Sequence, residues 1–460
     1  MRTMFAVLML AALIPAAAPA QSAPATPAGK EALALLTRGI GFQTVAGKGQ
    51  VPAYAAYLKQ QLVAAGFADS DVAFTPVGET GYLTARYGGR DRGAKPTILL
   101  GHMDVVEADP ADWTRDPFTA VVENGYVFGR GALDNKADVS ILVATLMKLK
   151  RAGWTPQRDL VLVLTGDEET AMASTQAAAE RFKDSALVLN ADAGGGTLDE
   201  SGKPTVYGLQ AAEKIYGDFR LTITDPGGHS SRPGASNAIA SLATAVGRIA
   251  AYRFSPEQNA ITRAYLAGSA ARNPGPVGEA MRAFAANPAD TAAADLLSSR
   301  PELIGQVRTT CVPTQFDGGH APNALPQRAV ANINCRIFPG TSRASIQGKL
   351  AELVADPKIK IELIDNGTIE AGASPLDPKV MAAVRAAVER RAPGVPTIPA
   401  MEAGATDSMH FRARGIPSFG VGSVFMKASD EFAHGLNERL PTATLDPGVV
   451  WWESLLKTLG

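Results

Sequence analysis

Three short apolar runs in this sequence each end in residues able to bind a cation or move a proton. Thr97-Ile-Leu-Leu100 leads into Gly101-His102-Met103-Asp104. Leu160-Val-Leu-Val-Leu164 leads into Thr165-Gly166-Asp167-Glu168-Glu169, and Ala186-Leu-Val-Leu189 into Asn190-Ala191-Asp192. A fourth segment, Gly129-Arg130-Gly131-Ala132-Leu133-Asp134-Asn135-Lys136, sets an acid on a glycine-rich turn before a helix. Gathering so many carboxylates in one crevice is repulsive unless a cation lies between them. Imidazole with carboxylate suits zinc and its neighbours, and calcium or magnesium much less.

Each piece alone has a plainer reading: His102-x-Asp104 as a surface pair, Glu168-Glu169 as a solvated helix start, Asp134 as a helix cap. What favours a metal site is their shared placement, directly after buried strands or on a glycine turn. Continuous apolar runs of this length suit strands buried on both faces of a mostly parallel sheet. In such sheets the carboxyl ends of the strands are where ligands bind.

The elements that must position these groups give an α/β fold of two units, one inserted in the other. Residues 30–213 read as the first part of a catalytic domain, with a helix from Ala137 to Leu149 ending near Gly153. After about 214 the pattern changes. Phe219, Leu221 and Ile223 alternate with polar residues, as on a strand with one wet face. A helix over Ala238 to Ala251, strands over Val307 to Phe316 and Arg328 to Phe338, a helix capped by Thr341 or Ser342, and a strand through Ile359, Ile361 and Leu363 follow. The order β-α-β-β-α-β is a split βαβ unit of the ferredoxin-like kind. It occupies 214–366, with 253–306, rich in alanine and containing several prolines, as a helical insertion. From 367 to 460 the first domain resumes, with Asp377-Pro378 as a helix start.

A length of 460 residues suits two domains, and 46% hydrophobic with 19% charged residues describes a globular chain. With 44 basic against 45 acidic side chains and no long basic run, nothing argues for nucleic acid. Arg2, an apolar run from Met4 to Ile14 and the small residues Ala18-Pro19-Ala20 read as an export signal over 1–20, too short for a membrane anchor. The chain is therefore expected in the periplasm, with no anchor in its mature form. Residues 21–29 read as a flexible linker. The two cysteines exclude a disulfide-built scaffold and a Cys-rich metal site. A hairpin turning near 320–325 places Cys311 opposite Cys335, but two reduced core thiols are the expectation.

In order along residues 30–455, Gly101-His102-Met103-Asp104-Val105-Val106, Gly129 to Lys136, Gly166-Asp167-Glu168-Glu169, Gly228-His229-Ser230-Ser231 and Ala433-His434-Gly435 resemble the co-catalytic di-zinc exopeptidases. That family holds succinyl-diaminopimelate desuccinylase, acetylornithine deacetylase, aminoacylase, glutamate carboxypeptidase and carboxypeptidase S. Trp113-Thr114-Arg115-Asp116-Pro117-Phe118 and Leu133 to Lys136 look closest to the carboxypeptidase S branch. The resemblance implies two divalent ions, zinc with cobalt or manganese as substitutes. His102 and Asp192 would hold one, Glu169 and His434 the other, and Asp134 both. Asp192 stands where several relatives have Glu, which reads as a subgroup choice. Asp104 would steer the His102 imidazole, and Glu168 would be the general base. A cis peptide between Asp134 and Asn135 is implied as well.

By the same resemblance the inserted unit is a lid and dimerisation domain, and His229 reaches a neighbouring subunit's site to help hold an oxyanion. Arg336 lies on the polar side of a strand whose other side is Ala331, Ile333, Cys335 and Ile337. It reads either as a solvated strand charge or as a fork for a substrate carboxylate, with Asn323 beside it from the partner subunit. His320 and His410 read as structural. The expected activity is hydrolysis of a peptide or N-acyl amide bond in a small substrate with a free carboxylate. An N-acyl amino-acid deacylase is the alternative, and an exported solute-binding protein is the rival from another class. A pure binder has no use for Glu168 as a base, and no G-x-S-x-G elbow supports a serine hydrolase.

Overall fold

The computed structural model describes residues 23–459, so the export signal read in 1–20 lies outside the described residues. The apolar runs are indeed strands buried on both faces. Every residue of Thr97–His102 and of Leu160–Thr165 is buried, and the two pair in parallel from Thr97 opposite Leu160 to His102 opposite Thr165. Leu187–Asn190 flanks Thr97–His102 in parallel, and Ser418–Gly420 flanks Leu187–Asn190 in parallel. Four neighbouring strands thus point their carboxyl ends the same way, at the centre of a ten-stranded sheet. Antiparallel strands, among them Val72–Val77, Thr80–Tyr87 and Gly195–Leu198, extend it on both sides.

The helix Lys136–Arg151 crosses one face of this sheet, and every residue from Lys136 to Met147 is buried. It is flanked by Pro27–Ile40 and Leu445–Leu459, which bring Leu36, Ile40, Trp451 and Trp452 into the same core. The first of these helices takes in residues 27–29 of the stretch read as a linker. Thr26 is its N-cap, accepting from Gly29 N at 3.0 Å, and Ala28 and Gly29 are already buried. Asp446, at the start of the last helix, accepts from Ala25 N at 2.6 Å. A stretch of Ala, Pro, Thr and Gly has linker composition, but Thr before Pro also starts helices.

The second sheet is antiparallel, in the order Thr310–Gly318, Arg328–Ile337, Ile215–Thr224, Lys360–Ile364. Helices Ala238–Ala251 and Arg343–Val354, the latter capped by Ser342, cover one face. The alternation seen in the sequence decides which side chains they cover: Phe219, Leu221, Ile223, Ala331, Ile333, Cys335 and Ile337 are all buried. Strand and helix order are those of a ferredoxin-like split βαβ unit. Between its first helix and second long strand lie Ala260–Ser269, Pro276–Ala286, Thr291–Ser298 and Pro301–Ile304, closing on a small core of Leu266, Met281, Phe284, Leu297 and Leu303. Ala260–Ser269 packs on Thr397–Glu402 of the large sheet, where a Cβ on Gly268 would lie 3.2 Å from Ile398. Among the described residues no helix is long and apolar enough to cross a membrane.

Cys311 and Cys335 form a disulfide, which corrects the expectation of two free thiols. The register explains it: the two residues face one another directly across the ladder, with Cα atoms 4.1 Å apart. The bridge closes a loop with a sequence separation of 24. Loop-closure entropy for that length gives about 2–4 kcal/mol of stabilisation. Protein unfolded without reductant should therefore show no free thiol. Reduction should lower Tm by several degrees; an unchanged melting curve would contradict that stabilisation.

His410, on Ser408–Arg412, is fully buried, and neither ring nitrogen has a hydrogen-bond partner. Burial, with Arg414 adding, pushes its pKa down to about 4. The unfolded imidazole titrates near 6.5. Between these values the unfolded chain takes up a proton that the folded chain refuses, so stability falls as pH drops from about 6.5 toward 4, by up to about 3 kcal/mol. Thermal melts across that window should steepen for the native chain and flatten for His410→Leu. Identical slopes would remove His410 as the cause.

Candidate active site

The parallel strands deliver their groups to one edge. His102 closes its strand, and its Nδ1 lies 3.1 Å from the Asp104 carbonyl oxygen. A carbonyl only accepts, so Nδ1 carries a proton, and Nε2 is the nitrogen that faces the crevice. There Nε2 lies 3.0 Å from Asp134 Oδ1 and 3.2 Å from Asp192 Oδ1. On the other side His434 Nε2 lies 3.2 Å from Asp134 Oδ2 and 3.0 Å from Glu169 Oε1. Asp134 thus turns one oxygen to each group of three. Ligands at 2.0–2.1 Å around a tetrahedral ion stand about 3.3–3.4 Å apart, close to these separations. Both triplets have the donor chemistry and spacing of a cation site.

Protonation preferences carry the same message. Burial opposes a charge on His102, yet Asp192, Asp104 and Asp134 together hold its pKa well above the usual imidazole value. Burial pushes the Glu168 carboxyl well up; His102 opposes this, while Asp192, Asp407 and Glu169 reinforce it. Hydrogen bonds from His434 to Asp134 and Glu169 raise its pKa to about 10. These are the shifts of acids crowded together with too few positive charges.

Asp104 adds a second part to the one expected of it. Its carboxylate stands 3.5 Å from His102 Nδ1, but it accepts from Glu168 N at 3.2 Å and Glu169 N at 3.0 Å. Its main-chain oxygen orients the imidazole, while its side chain tethers the two glutamates. Asp192 is set by its own N–H donating to Asn190 Oδ1 at 3.0 Å. The Asp134–Asn135 peptide is cis, as the resemblance implies.

Two acids that sequence reasoning left out support this arrangement. Glu438 is fully buried and accepts from Arg130 Nη1 at 2.7 Å and from the backbone N–H groups of Gly131, Leu133 and Asp134 at 2.9, 2.8 and 2.9 Å. It holds the whole glycine-rich turn, and its only sequence signal is an acid four residues past His434. Asp407 is buried beneath the strand ends, accepting from Thr165 Oγ1 at 2.5 Å and from the Thr175 hydroxyl. Its place after a loop gives no pattern to read.

Three predicted residues stand apart. His229 is exposed, and its Nδ1 meets Ser231 Oγ at 2.8 Å. It shares a two-stranded ribbon with Ala324, next to Asn323, which is also exposed. Neither touches the two triplets. Arg336 is half-buried, stacking on the Tyr216 ring at 4.5 Å and donating to the Ala403 carbonyl at 3.0 Å. It is therefore not a freely solvated strand charge.

Comparison with known proteins agrees with this geometry. N-fatty-acyl-amino acid synthase/hydrolase PM20D1.1 of Danio rerio is 27% identical over 387 residues, covering 80% of this chain and 73% of its own. Probable carboxypeptidase S-like 2 of Dictyostelium discoideum is 27% identical over 392 residues, 82% of this chain and 74% of its own. The fold matches an M20 family metallo-carboxypeptidase, Sso-CP2 of Sulfolobus solfataricus, with a TM-score of 0.73 at 19% identity, covering 93% of this chain and 99% of that one. It also matches the YXEP protein of Bacillus subtilis, described as a dinuclear metal-binding peptidase, with a TM-score of 0.55 at 14% identity over 92% of this chain and 98% of that one. Residues 98–458 match the family described as Peptidase family M20/M25/M40. The chain belongs to that peptidase family and is a hydrolase of peptide or N-acyl amide bonds.

Proposed function

We propose that this hydrolase holds two divalent ions, zinc first, and cleaves a small substrate carrying a free carboxylate. The observation that carries the reading is Asp134, whose two oxygens each face a different His-carboxylate pair. His102 and Asp192 would hold one ion, Glu169 and His434 the other, with Asp134 shared. Bound there, the ions would polarise the scissile carbonyl and lower the pKa of a water molecule. Glu168, buried beside them, takes the proton of the attacking water and passes it to the leaving nitrogen. Asp104 keeps Glu168 and Glu169 in place through their backbone.

Residues 30–213 and 367–460 form the catalytic domain in this reading, and 214–366 the lid and dimerisation domain. Exposure of His229 and Asn323 in a single chain suits delivery across a dimer, where His229 of the partner subunit would help hold the oxyanion. Arg336 then offers its remaining guanidinium N–H groups to a substrate carboxylate. Export to the periplasm suits the disulfide. A second reading, hydrolysis of N-acyl amino acids, is favoured by the Danio rerio relative's name.

The test is a chelated protein reloaded with zinc, cobalt or manganese, then offered dipeptides and N-acyl amino acids. Two metals per chain by mass spectrometry and recovery of turnover are expected. A chelated protein with full activity would overturn the reading. Tight substrate binding without turnover would mark a solute-binding protein instead.

A further inference from the structure

The chain passes from one sheet to the other through a single residue. Pro204–Glu213 belongs to the large sheet and Ile215–Thr224 to the four-stranded one, so Lys214 alone is the joint. Its main chain stays with the large sheet, where Lys214 N donates to the Glu402 carbonyl at 2.9 Å. Its side chain goes the other way. The Nζ donates to the Arg308 carbonyl and, at 3.1 Å, to the Arg336 carbonyl, and lies 5.5 Å from the centre of the Phe338 ring. Arg336 returns to the large sheet through Nη1, which donates to the carbonyl of Ala403, the residue after Glu402. Lys214, Arg336 and the Glu402–Ala403 backbone therefore close a ring of contacts across the joint.

Stability alone does not account for a lysine here. The residue is 1% exposed, and the partners of its Nζ are two carbonyl oxygens and not a carboxylate. Taking an ammonium out of water is costly. Burial pushes its pKa down to about 7, with Glu257 opposing and Arg336 adding. What lysine supplies that an apolar side chain of the same length does not is a pair of directed donors, one of them aimed at the main chain of Arg336. That arginine stands on one sheet and the two His-carboxylate triplets on the other. The span between them is the one a substrate bridges when its carboxylate meets the guanidinium and its amide lies at the metals. We propose that Lys214 is a positioning residue that fixes Arg336 against the large sheet, and so sets the selectivity of the enzyme for substrates ending in a carboxylate. The inference rests on the hydrolase reading above, with Arg336 as the carboxylate fork.

The experiment compares metal-loaded native protein with Lys214→Met, Lys214→Gln, Arg336→Ala and the double variant Lys214→Met with Arg336→Ala. Substrates are Ala-Leu and N-acetyl-leucine, each beside its carboxy-terminal amide, which has the same shape without the charge. Calorimetry of leucine, the product common to both acids, follows binding apart from turnover, and thermal melts check folding. In Lys214→Met the KM for the acids should rise by about tenfold, the scale of losing one hydrogen bond to a charged group, with kcat changed less. The amides should keep their kcat/KM to within about twofold, since they do not draw on the fork. A general loosening of the joint would instead slow acids and amides alike. Lys214→Gln, which keeps a donor, should fall between native and Lys214→Met. The double variant should be no worse than Arg336→Ala, because the two residues act as a unit; additive losses would overturn the proposal. Turnover with an unchanged acid-to-amide ratio in a folded Lys214→Met protein overturns the positioning role and leaves the hydrolase standing. Leucine binding that the variant weakens, without turnover of any substrate, keeps the positioning role and overturns the hydrolase. Neither binding nor turnover overturns both. Two Lys214 variants that fail to fold would make the residue a structural one and overturn the proposal.

Discussion

Glu168→Gln should retain two bound metals and lose turnover by 10²–10⁴-fold, which is about 2.7–5.4 kcal/mol of barrier. The side chain faces the crevice between His102 and Glu169 and is almost fully buried. Burial and the neighbouring acids raise its proton affinity, which is what a group needs if it is to take a proton and give it back. An amide of the same shape cannot accept that proton, so Gln should be nearly as inactive as Ala. Its neighbour provides the contrast. Glu169 makes contact with His434 at 3.0 Å and belongs to a candidate ligand set, so Glu169→Ala should lose metal, with part of the activity returning at high metal concentration. Both glutamates hang from the same Asp104 carboxylate, so a general disturbance of the turn would affect the two variants alike. Metal content measured beside turnover separates the cases. A Glu168→Gln protein with both metals and near-native turnover would refute the assignment.

Glu438→Ala should destabilise the fold by about 3–5 kcal/mol and weaken metal binding by about 10–100-fold. The carboxylate is the partner of a buried guanidinium, Arg130, at 2.7 Å. Removing it leaves that charge uncompensated and three backbone N–H groups of the Gly131–Asp134 turn without an acceptor. Each loss is expensive in a dry interior. The same turn carries Asp134, the one residue that faces both triplets, so its loosening should reach the metals without any direct ligand being removed. Glu438→Gln preserves one carbonyl acceptor and should fall between the two. Thermal melts with and without metal, and a metal titration, give the numbers. A Tm within a degree of native with unaltered metal affinity would show that the turn holds itself.

The legible part of this protein was the part where one physical signal dominates. Runs such as Leu160 to Leu164 are apolar throughout because both faces are buried, and a chemically loaded residue soon after such a run has little freedom in where it points. Alternation at Phe219, Leu221 and Ile223 gave the second sheet in the same way. Glu438 and Asp407 were not legible because their importance lies in partners distant in sequence: Glu438 answers a turn more than three hundred residues earlier, with separations of 304 to 308. The disulfide was half legible. Hairpin symmetry placed the two cysteines opposite one another, but only the direct register decides between bonded and merely adjacent sulfurs. The start of the chain misled because Ala, Pro and Thr serve both loops and helix caps.

Asp446 clasps Ala25 and Thr26, so the large sheet is closed by the first and last helices lying together. Its core cannot be completed until Trp451 and Trp452 arrive. The four-stranded sheet, by contrast, takes all its strands from residues between Ile215 and Ile364. A polypeptide emerging from its amino end can therefore finish the interior sheet first, while the outer one stays open to the final turn of helix. Shortening the chain from Leu445 onward, its last sixteen residues, removes no proposed ligand and no catalytic group. It takes away the latch, and leaves a crevice whose sequence is intact but whose walls have nothing to lean on.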